Sequence, residues 1–315
     1  MIEVIGPGFL SIIVDRGRYG HGHIGVPSSR ELDRFACSMA RFLLQNPEDA
    51  PVIEVMGNDL RLRFSREVTF AITGARVRAT LDDEPLRPWS AHRASEGSIL
   101  RVREVLEGLR YYIAFSGIID VAPVMGSRTV NLECKLGGFH GRPLMKGDRI
   151  LLADLHNPAQ LLGVPDTMIP SMCEPHIVRV ISGPEADHFT SASVRFLERR
   201  TDAALFSATS RLNRTGIRLE GNPIMFKKKA QRSIMSEGIL PGTIQIPPDG
   251  FPFINLTERT IGDYTRLATV ADVDMDRLAH IKPGDSVLLS SIDIKEAERL
   301  WRARRDAVSF FCKKQ

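Results

Sequence analysis

Short apolar runs separated by Gly, Asp, Asn and Pro dominate the first half of the chain. Val68–Gly74 (VTFAITG), Ser98–Arg103 (SILRVR) and Arg110–Ser116 (RYYIAFS) place β-branched and aromatic residues between turn formers, which predicts strands. Strands so short and so frequent point to a barrel or a sandwich. One helix is predicted among them: from Glu31 to Leu44, the residues Leu32, Phe35, Ala36, Met39, Ala40 and Leu43 recur at helical spacing, and Asn46-Pro47 stops the run. From His156 to Pro175 four prolines and little periodicity predict a linker or a long crossing loop. The second half opens on Ile177–Gly183 and closes on Lys282–Leu289, which echoes the Arg142–Leu152 segment closing the first half. In the tail, Ile294, Ala297, Leu300, Trp301, Val308 and Phe311 share one helical face. That stripe predicts a C-terminal helix docked on the protein's own barrel, or else seated in a partner's groove.

A glycine-rich segment from Asp15 to Asp33, DRGRYGHGHIGVPSSRELD, follows the apolar run Phe9–Val14. Arg18-x-Gly20 with Gly25 has the spacing of Arg214-x-Gly216 with Gly221, which suggests two loops of one design in a chain built from related halves. Gly20, Gly22 and Gly25 also spell a dinucleotide fingerprint. That motif needs a helix N-terminus behind its last glycine to hold the pyrophosphate. Pro27 and two serines follow here instead, so a turn is expected rather than a nucleotide site.

At 315 residues the chain can bury two ordinary cores, and 43% hydrophobic with 25% charged residues is a globular balance. No apolar run approaches the ~20 residues of a spanning helix, and the N-terminus lacks the pattern of a signal peptide. A cytoplasmic protein without membrane association is therefore expected. The net charge of +4 is spread along the chain, with Lys227-Lys228-Lys229 as its one basic run, so nucleic acid is not an expected partner. Cys37, Cys134, Cys173 and Cys312 form no C-x-x-C pair, and His21-x-His23 lacks a third ligand nearby. No metal is expected.

Standard catalytic signatures are absent: there is no H-E-x-x-H, no G-x-S-x-G, no Gly-Lys phosphate loop and no biotin-carrying Met-Lys-Met. What remains is Asp15, Arg18, Asp33, Arg128, Arg142, Arg214 and Glu237 set in glycine-rich turns. An arginine fork binds a carboxylate or phosphate bidentately, and glycines let backbone N–H groups approach an oxyanion. Such loops suit an anionic ligand or intermediate, or form buried turn-stabilising ion pairs.

These residues carry a resemblance. DRGRYGHGHIGVPSSRELD, ITGA at Ile72–Ala75, MGSRT at Met125–Thr129, GGFHGRPLMKGD, NRTGIRLEG from Asn213 and SEGILPGTIQIPPDGFP at Ser236–Pro252 together resemble the KipA family. That family is also known as the C subunit of 5-oxoprolinase and as allophanate hydrolase subunit 2, and is similar to part of the urea carboxylase carboxyltransferase domain. The sequence departs from the family pattern in places. Val14 stands where the family has glutamine, Ser29-Arg30-Glu31-Leu32-Asp33 replaces Ser-Gly-Ala-Met-Asp, and Thr257–Tyr264 (TERTIGDY) replaces Asp-x-Gln-Thr-Thr-Gly-Gly-Tyr.

The resemblance implies a mainly β chain of two cyclophilin-like β-barrel domains, residues 1–172 and 173–315, with a few short helices and a C-terminal helix. It implies a component of an ATP-dependent 5-oxoprolinase, active with a KipI-like partner and a LamB/YcsF-like subunit on a small amide, with ATP handled through the complex. The alternatives are a urea carboxylase-like carboxyltransferase, with biotin carried on another chain, and a non-catalytic regulator of a KipI-like protein. It also implies Asp15, Arg18, Glu237, Gln245 and Tyr264 as catalytic residues and Arg128, Asn213, Arg214 and Thr260 as substrate contacts. In that scheme the arginines clamp an anion, Gln245 and Asn213 contact the amide, and Asp15 or Glu237 moves protons.

Overall fold

The computed structural model describes residues 1–199 and 204–314. Two compact units divide the chain, Met1–Met172 and Cys173–Gln315. Both are mainly β.

In the first unit the strands run, in spatial order, Arg149–Ile150, Ile2–Pro7, Leu60–Phe64, Ile99–Phe115, Val52–Met56 and Leu10–Val14, with Val68–Leu81 paired to Ile99–Phe115. The sheet curls into a half-barrel. Alternate residues fill it: Ile2, Val4, Leu60, Leu62, Phe64, Leu100, Val102, Ile113 and Phe115 are buried in one apolar cluster. The two segments Ser98–Arg103 and Arg110–Ser116, read as separate strands from the sequence, are one strand of 17 residues. Val68–Gly74 likewise continues through Gly74 to Leu81. Gly74 has φ +91, and a Cβ there would lie 2.8 Å from the Arg110 carbonyl oxygen. A glycine in this position bends the strand across its neighbour instead of ending it.

The predicted helix is shorter than its periodicity, Arg34–Leu43. Asp33 is extended and its side chain accepts from the Ala36 N–H at 2.8 Å, so the helix begins after it. Glu31 and Leu32 belong to the incoming loop. The Pro-rich 156–175 stretch packs along the first unit up to its boundary, through Leu162 and Val164 to the backbone of Ala91 and Trp89.

The second unit closes into a barrel. Its strands run His176–Ser182, Ser286–Ser291, Leu205–Leu212, Gly216–Gly221, Phe253–Asn255, Thr243–Ile246 and Arg259–Val270, and the last pairs back to the first. Ser233–Ile239 lies outside this ring. It pairs with the start of Arg259–Val270, as Glu237 opposite Gly262 and Ser233 opposite Tyr264, and is mostly exposed.

The echoed closing segments are built alike. Asp148 accepts from the Met145 N–H at 2.7 Å, and Asp285 accepts from the Lys282 N–H at 3.0 Å, each an aspartate fixing its own turn before a strand. The other echo differs in structure. Gly20–Gly25 holds a 3₁₀ turn at Gly22–Ile24 with no α-helix behind it, whereas Gly216–Gly221 is a strand. Shared spacing did not carry backbone conformation, because Gly20 and Gly25 turn at φ 87 and 82 whereas Gly216 and Gly221 are paired in the sheet.

The C-terminal helix, Ile294–Lys314, docks on its own unit with Phe311 buried and Ala297, Leu300 and Val308 half-buried. Ile294 and Trp301 leave the predicted stripe and are exposed. The inward place is taken by Arg304, which donates to the Val273 carbonyl at 2.8 Å and to Asp276 at 2.6 Å, while Arg305 stacks on Trp301 at 5.0 Å. Among the described residues no helix is long and apolar enough to cross a membrane.

Candidate functional site

The expected site residues fall in both units. In the first, the glycine-rich loop and the segment around Met125–Thr129 are tied together by Asp15. Its buried carboxylate accepts from the Gly17 N–H at 2.8 Å, the Ser127 hydroxyl at 2.6 Å and the Arg128 N–H at 2.5 Å. An ionised carboxylate is an acceptor only, and three donors converge on it. The geometry thus uses Asp15 to hold two loops distant in sequence. Arg18 is 1% exposed. Its Nη2 donates to the Thr129 carbonyl at 2.5 Å and its Nε to the Val124 carbonyl at 3.4 Å, while Nη1 has no hydrogen-bond partner among the described residues. Burial lowers the Arg18 pKa from its usual value, with nearby Asp15 opposing that shift.

Arg128 is half-buried and donates to the Val121 carbonyl at 3.2 Å. Arg142 makes a two-pronged pair with Asp148 at 2.7 and 2.8 Å. Asp33 caps the helix, as described above. Next to this knot lies a buried ion pair, Arg41 with Glu31 at 3.1 Å. The exposed His23 and half-buried His21 sit on the 3₁₀ turn, and the described residues contain no group of three metal-binding side chains. Lys227–Lys229 form an exposed turn.

In the second unit the strand Arg259–Val270 organises the site. Side chains alternate along a strand, and exposure follows that alternation at its start, with Arg259, Ile261 and Asp263 outward and Thr260 and Gly262 half-buried. The three residues that depart from the family pattern at 259, 261 and 263 therefore share one face. Thr260, Gly262 and Tyr264 share the other, with Arg266 two positions further on.

Gln245 belongs to that second face. It is buried on Thr243–Ile246, and its Nε2 donates to the Tyr264 carbonyl at 3.1 Å. A Cβ on Gly262 would lie 3.3 Å from that Nε2 and 2.5 Å from Ile239, so only a glycine lets Ile239 and the carboxamide pack this closely against the strand. Tyr264 itself is 41% exposed at the rim. Glu237 is paired with Arg266, whose Nε and Nη2 also grip Glu185 at 2.8 and 2.5 Å. Those bonds hold the Glu185 carboxyl below its ordinary range despite the opposing effect of burial, and raise the Arg266 pKa.

Asn213 turns its Oδ1 to the N–H groups of Thr215 and Gly216 at 2.7 and 3.1 Å. Any amide contact from Asn213 therefore runs through its nitrogen. Arg214 follows on the same turn, half-buried.

Glu185, Arg266 and Asn255 are absent from the sequence-based set. Arg266 could have been found from alternation, since it lies two residues past Tyr264. Glu185 and Asn255 carried no local signal.

The depressed carboxyls give the pH dependence a sign. Glu185 and Asp148 are both held low by arginine hydrogen bonds. A carboxyl lowered on folding contributes stability above its unfolded pKa and loses it as pH falls through the folded value. The melting temperature is expected to decline gently below about pH 6.5, where buried His176, its pKa held low by desolvation, resists protonation, and to drop more steeply below about pH 4 as these carboxyls protonate. A melting temperature unchanged to about pH 3 in circular dichroism would contradict this assignment.

The chain belongs to the family described as carboxyltransferase domain, subdomain A and B, which matches residues 24–291. It is similar to the C subunit of 5-oxoprolinase from Escherichia coli (strain K12), 31% identical over 315 residues, covering 99% of this chain and 96% of that one. It is also similar to the urea amidolyase of Lachancea kluyveri, 28% identical over 97% of this chain but only 18% of the relative's length. The crystal structure of the Kluyveromyces lactis urea amidolyase has the same fold, with a TM-score of 0.89 at 24% identity over 98% of this chain and 20% of that one.

Proposed function

We propose that this chain is the KipA-like component of an ATP-dependent 5-oxoprolinase, which opens 5-oxoproline to glutamate together with a KipI-like and a LamB/YcsF-like subunit. The observation that carries this reading is the second-unit face on which Thr260, Gly262 and Tyr264 line up with Gln245, while the divergent Arg259, Ile261 and Asp263 face away. Three of the four departures in this segment thus point away from the carboxamide, and the fourth, Thr257, lies before the strand begins. The near full-length similarity to a C subunit of 5-oxoprolinase adds support.

On this reading Gln245 donates an N–H to the amide carbonyl oxygen and polarises it. Charge that builds on that oxygen in the transition state is where such a donor acts most strongly. Glu237, fixed by Arg266, is positioned to accept a proton from, or a hydrogen bond donated by, the amide side of the substrate. Arg214, in the same unit, supplies positive charge for the substrate carboxylate. In the first unit Arg18 is buried against backbone carbonyls, and with Arg128 it shapes the loops that Asp15 ties. The glycine loop at 20–25 does not fit a nucleotide phosphate, because a 3₁₀ turn and not a helix N-terminus stands behind it. On this reading ATP is handled through the complex.

The carboxyltransferase alternative is favoured by the family match itself, described as carboxyltransferase domain, and by the alignment of 97% of this chain with a urea amidolyase. It requires biotin on another chain, whose ureido oxygen Gln245 would suit equally as a donor. Glutamate formation from 5-oxoproline and ATP by the three co-purified subunits, with and without avidin, separates the readings. The proposal expects glutamate in both arms. Assembled, soluble subunits that make none would contradict it, and activity removed by avidin would favour the carboxyltransferase. Stable assembly without turnover would favour a regulator.

A further inference from the structure

Gln245 is held by a second buried amide. Asn255, on the neighbouring strand Phe253–Asn255, is fully buried. Its Nδ2 donates both to the Thr243 carbonyl at 3.0 Å and to Gln245 Oε1 at 3.1 Å. Its own Oδ1 has no partner among the described residues.

The two ends of this chain of bonds are backbone carbonyls, Thr243 at one and Tyr264 at the other. Carbonyl oxygens only accept, so each amide has one allowed orientation. Turning Asn255 over would set its oxygen against two oxygens. Turning Gln245 over would set Oε1 against the Tyr264 carbonyl and its NH2 against the Asn255 NH2. The Gln245 oxygen is thus committed inward to Asn255, and of the two Nε2 protons one goes to Tyr264.

We infer that Asn255 is a positioning residue that sets the hydrogen-bonding polarity of the site: it locks Gln245 as a donor, so this subsite takes an acceptor oxygen, a carbonyl or carboxylate, and disfavours an N–H. The inference rests on the proposal that Gln245 touches substrate. It adds a direction to that contact and a residue that enforces it. Because a buried donor left unmatched is costly, such a site discriminates against analogues that lack the acceptor.

The test uses the chain labelled with ¹⁵N-glutamine and the reconstituted three-subunit enzyme. Five glutamines are present, and Gln245→Met assigns the relevant side-chain signal. In the unmodified protein the Gln245 carboxamide is expected to show two distinct protons exchanging far more slowly than those of exposed Gln231. Exchange as fast as that of Gln231 would overturn the inference without any variant having to fold. Asn255→Asp is expected to abolish the protection and to lower kcat/KM for 5-oxoproline by about tenfold or more. In the double variant, Asn255→Asp is expected to add nothing to the loss caused by Gln245→Met, whereas a merely structural role would give additive losses. If Gln245→Met costs activity but Asn255→Asp leaves both activity and the Gln245 signal unchanged, the inference fails and the site reading stands. If Gln245→Met is itself harmless, the site reading fails and the inference falls with it.

Discussion

Replacing Gln245 by methionine is expected to lower turnover of 5-oxoproline by the reconstituted enzyme about 100-fold or more while leaving the protein folded. The magnitude is that of removing one donor aimed at a developing oxyanion, roughly 100- to 1,000-fold. Methionine keeps the length and much of the volume of the side chain, so the buried space beside Ile239 and Gly262 stays filled. The structural cost is limited to the bonds with Tyr264 and Asn255, roughly 1–3 kcal/mol each because a buried group loses its partner. Asn255 keeps its bond to Thr243. Turnover within about twofold of the unmodified enzyme, at matched subunit stoichiometry, would remove Gln245 from the chemistry.

The largest effect on stability is expected at Asp15. Asp15→Ala strips the acceptor from the Gly17 N–H, the Ser127 hydroxyl and the Arg128 N–H, and takes away the anion beside buried Arg18. Leaving buried donors and a buried cation without their partner costs roughly 3 kcal/mol or more. Chemical denaturation of the isolated chain would register the change as a lower midpoint in its first unit, and co-purification with partner subunits would fall with it. Asp15→Asn, which keeps one acceptor oxygen, is expected to recover part of the loss. An alanine variant as stable as the parent would show that Asp15 does not tie these loops.

The two sites differ in how much of them the sequence displays. Asp15 and Arg18 stand out as charged residues in a glycine-rich turn, but their partners Ser127 and Thr129 lie more than 110 positions away. No local pattern shows that an arginine in a polar loop will be buried against a distant carbonyl. The face shared by Thr260, Tyr264 and Arg266 is by contrast readable from alternation once the strand is recognised. Asn255 was hidden, because its importance comes from reaching Gln245 diagonally from the paired strand, two residues past the register partner Phe253, and cross-strand pairing is set by register.

Fold-level reading met the same limit. Apolar runs located the strands, but not that two of them continue through glycine bends as single long strands. Helical periodicity found the C-terminal helix and its buried Phe311. It missed the outward turn of Ile294 and Trp301, since Arg304 finds a carbonyl and a carboxylate on the inner face.

The measurement that bears most directly on the central claim is ATP hydrolysis by the reconstituted three-subunit complex with 5-oxoproline, with urea and with no amide, run side by side. The account predicts stimulation by 5-oxoproline alone, lost in Gln245→Met. Hydrolysis at the same rate in all three reactions, from a complex shown to be assembled, would contradict it.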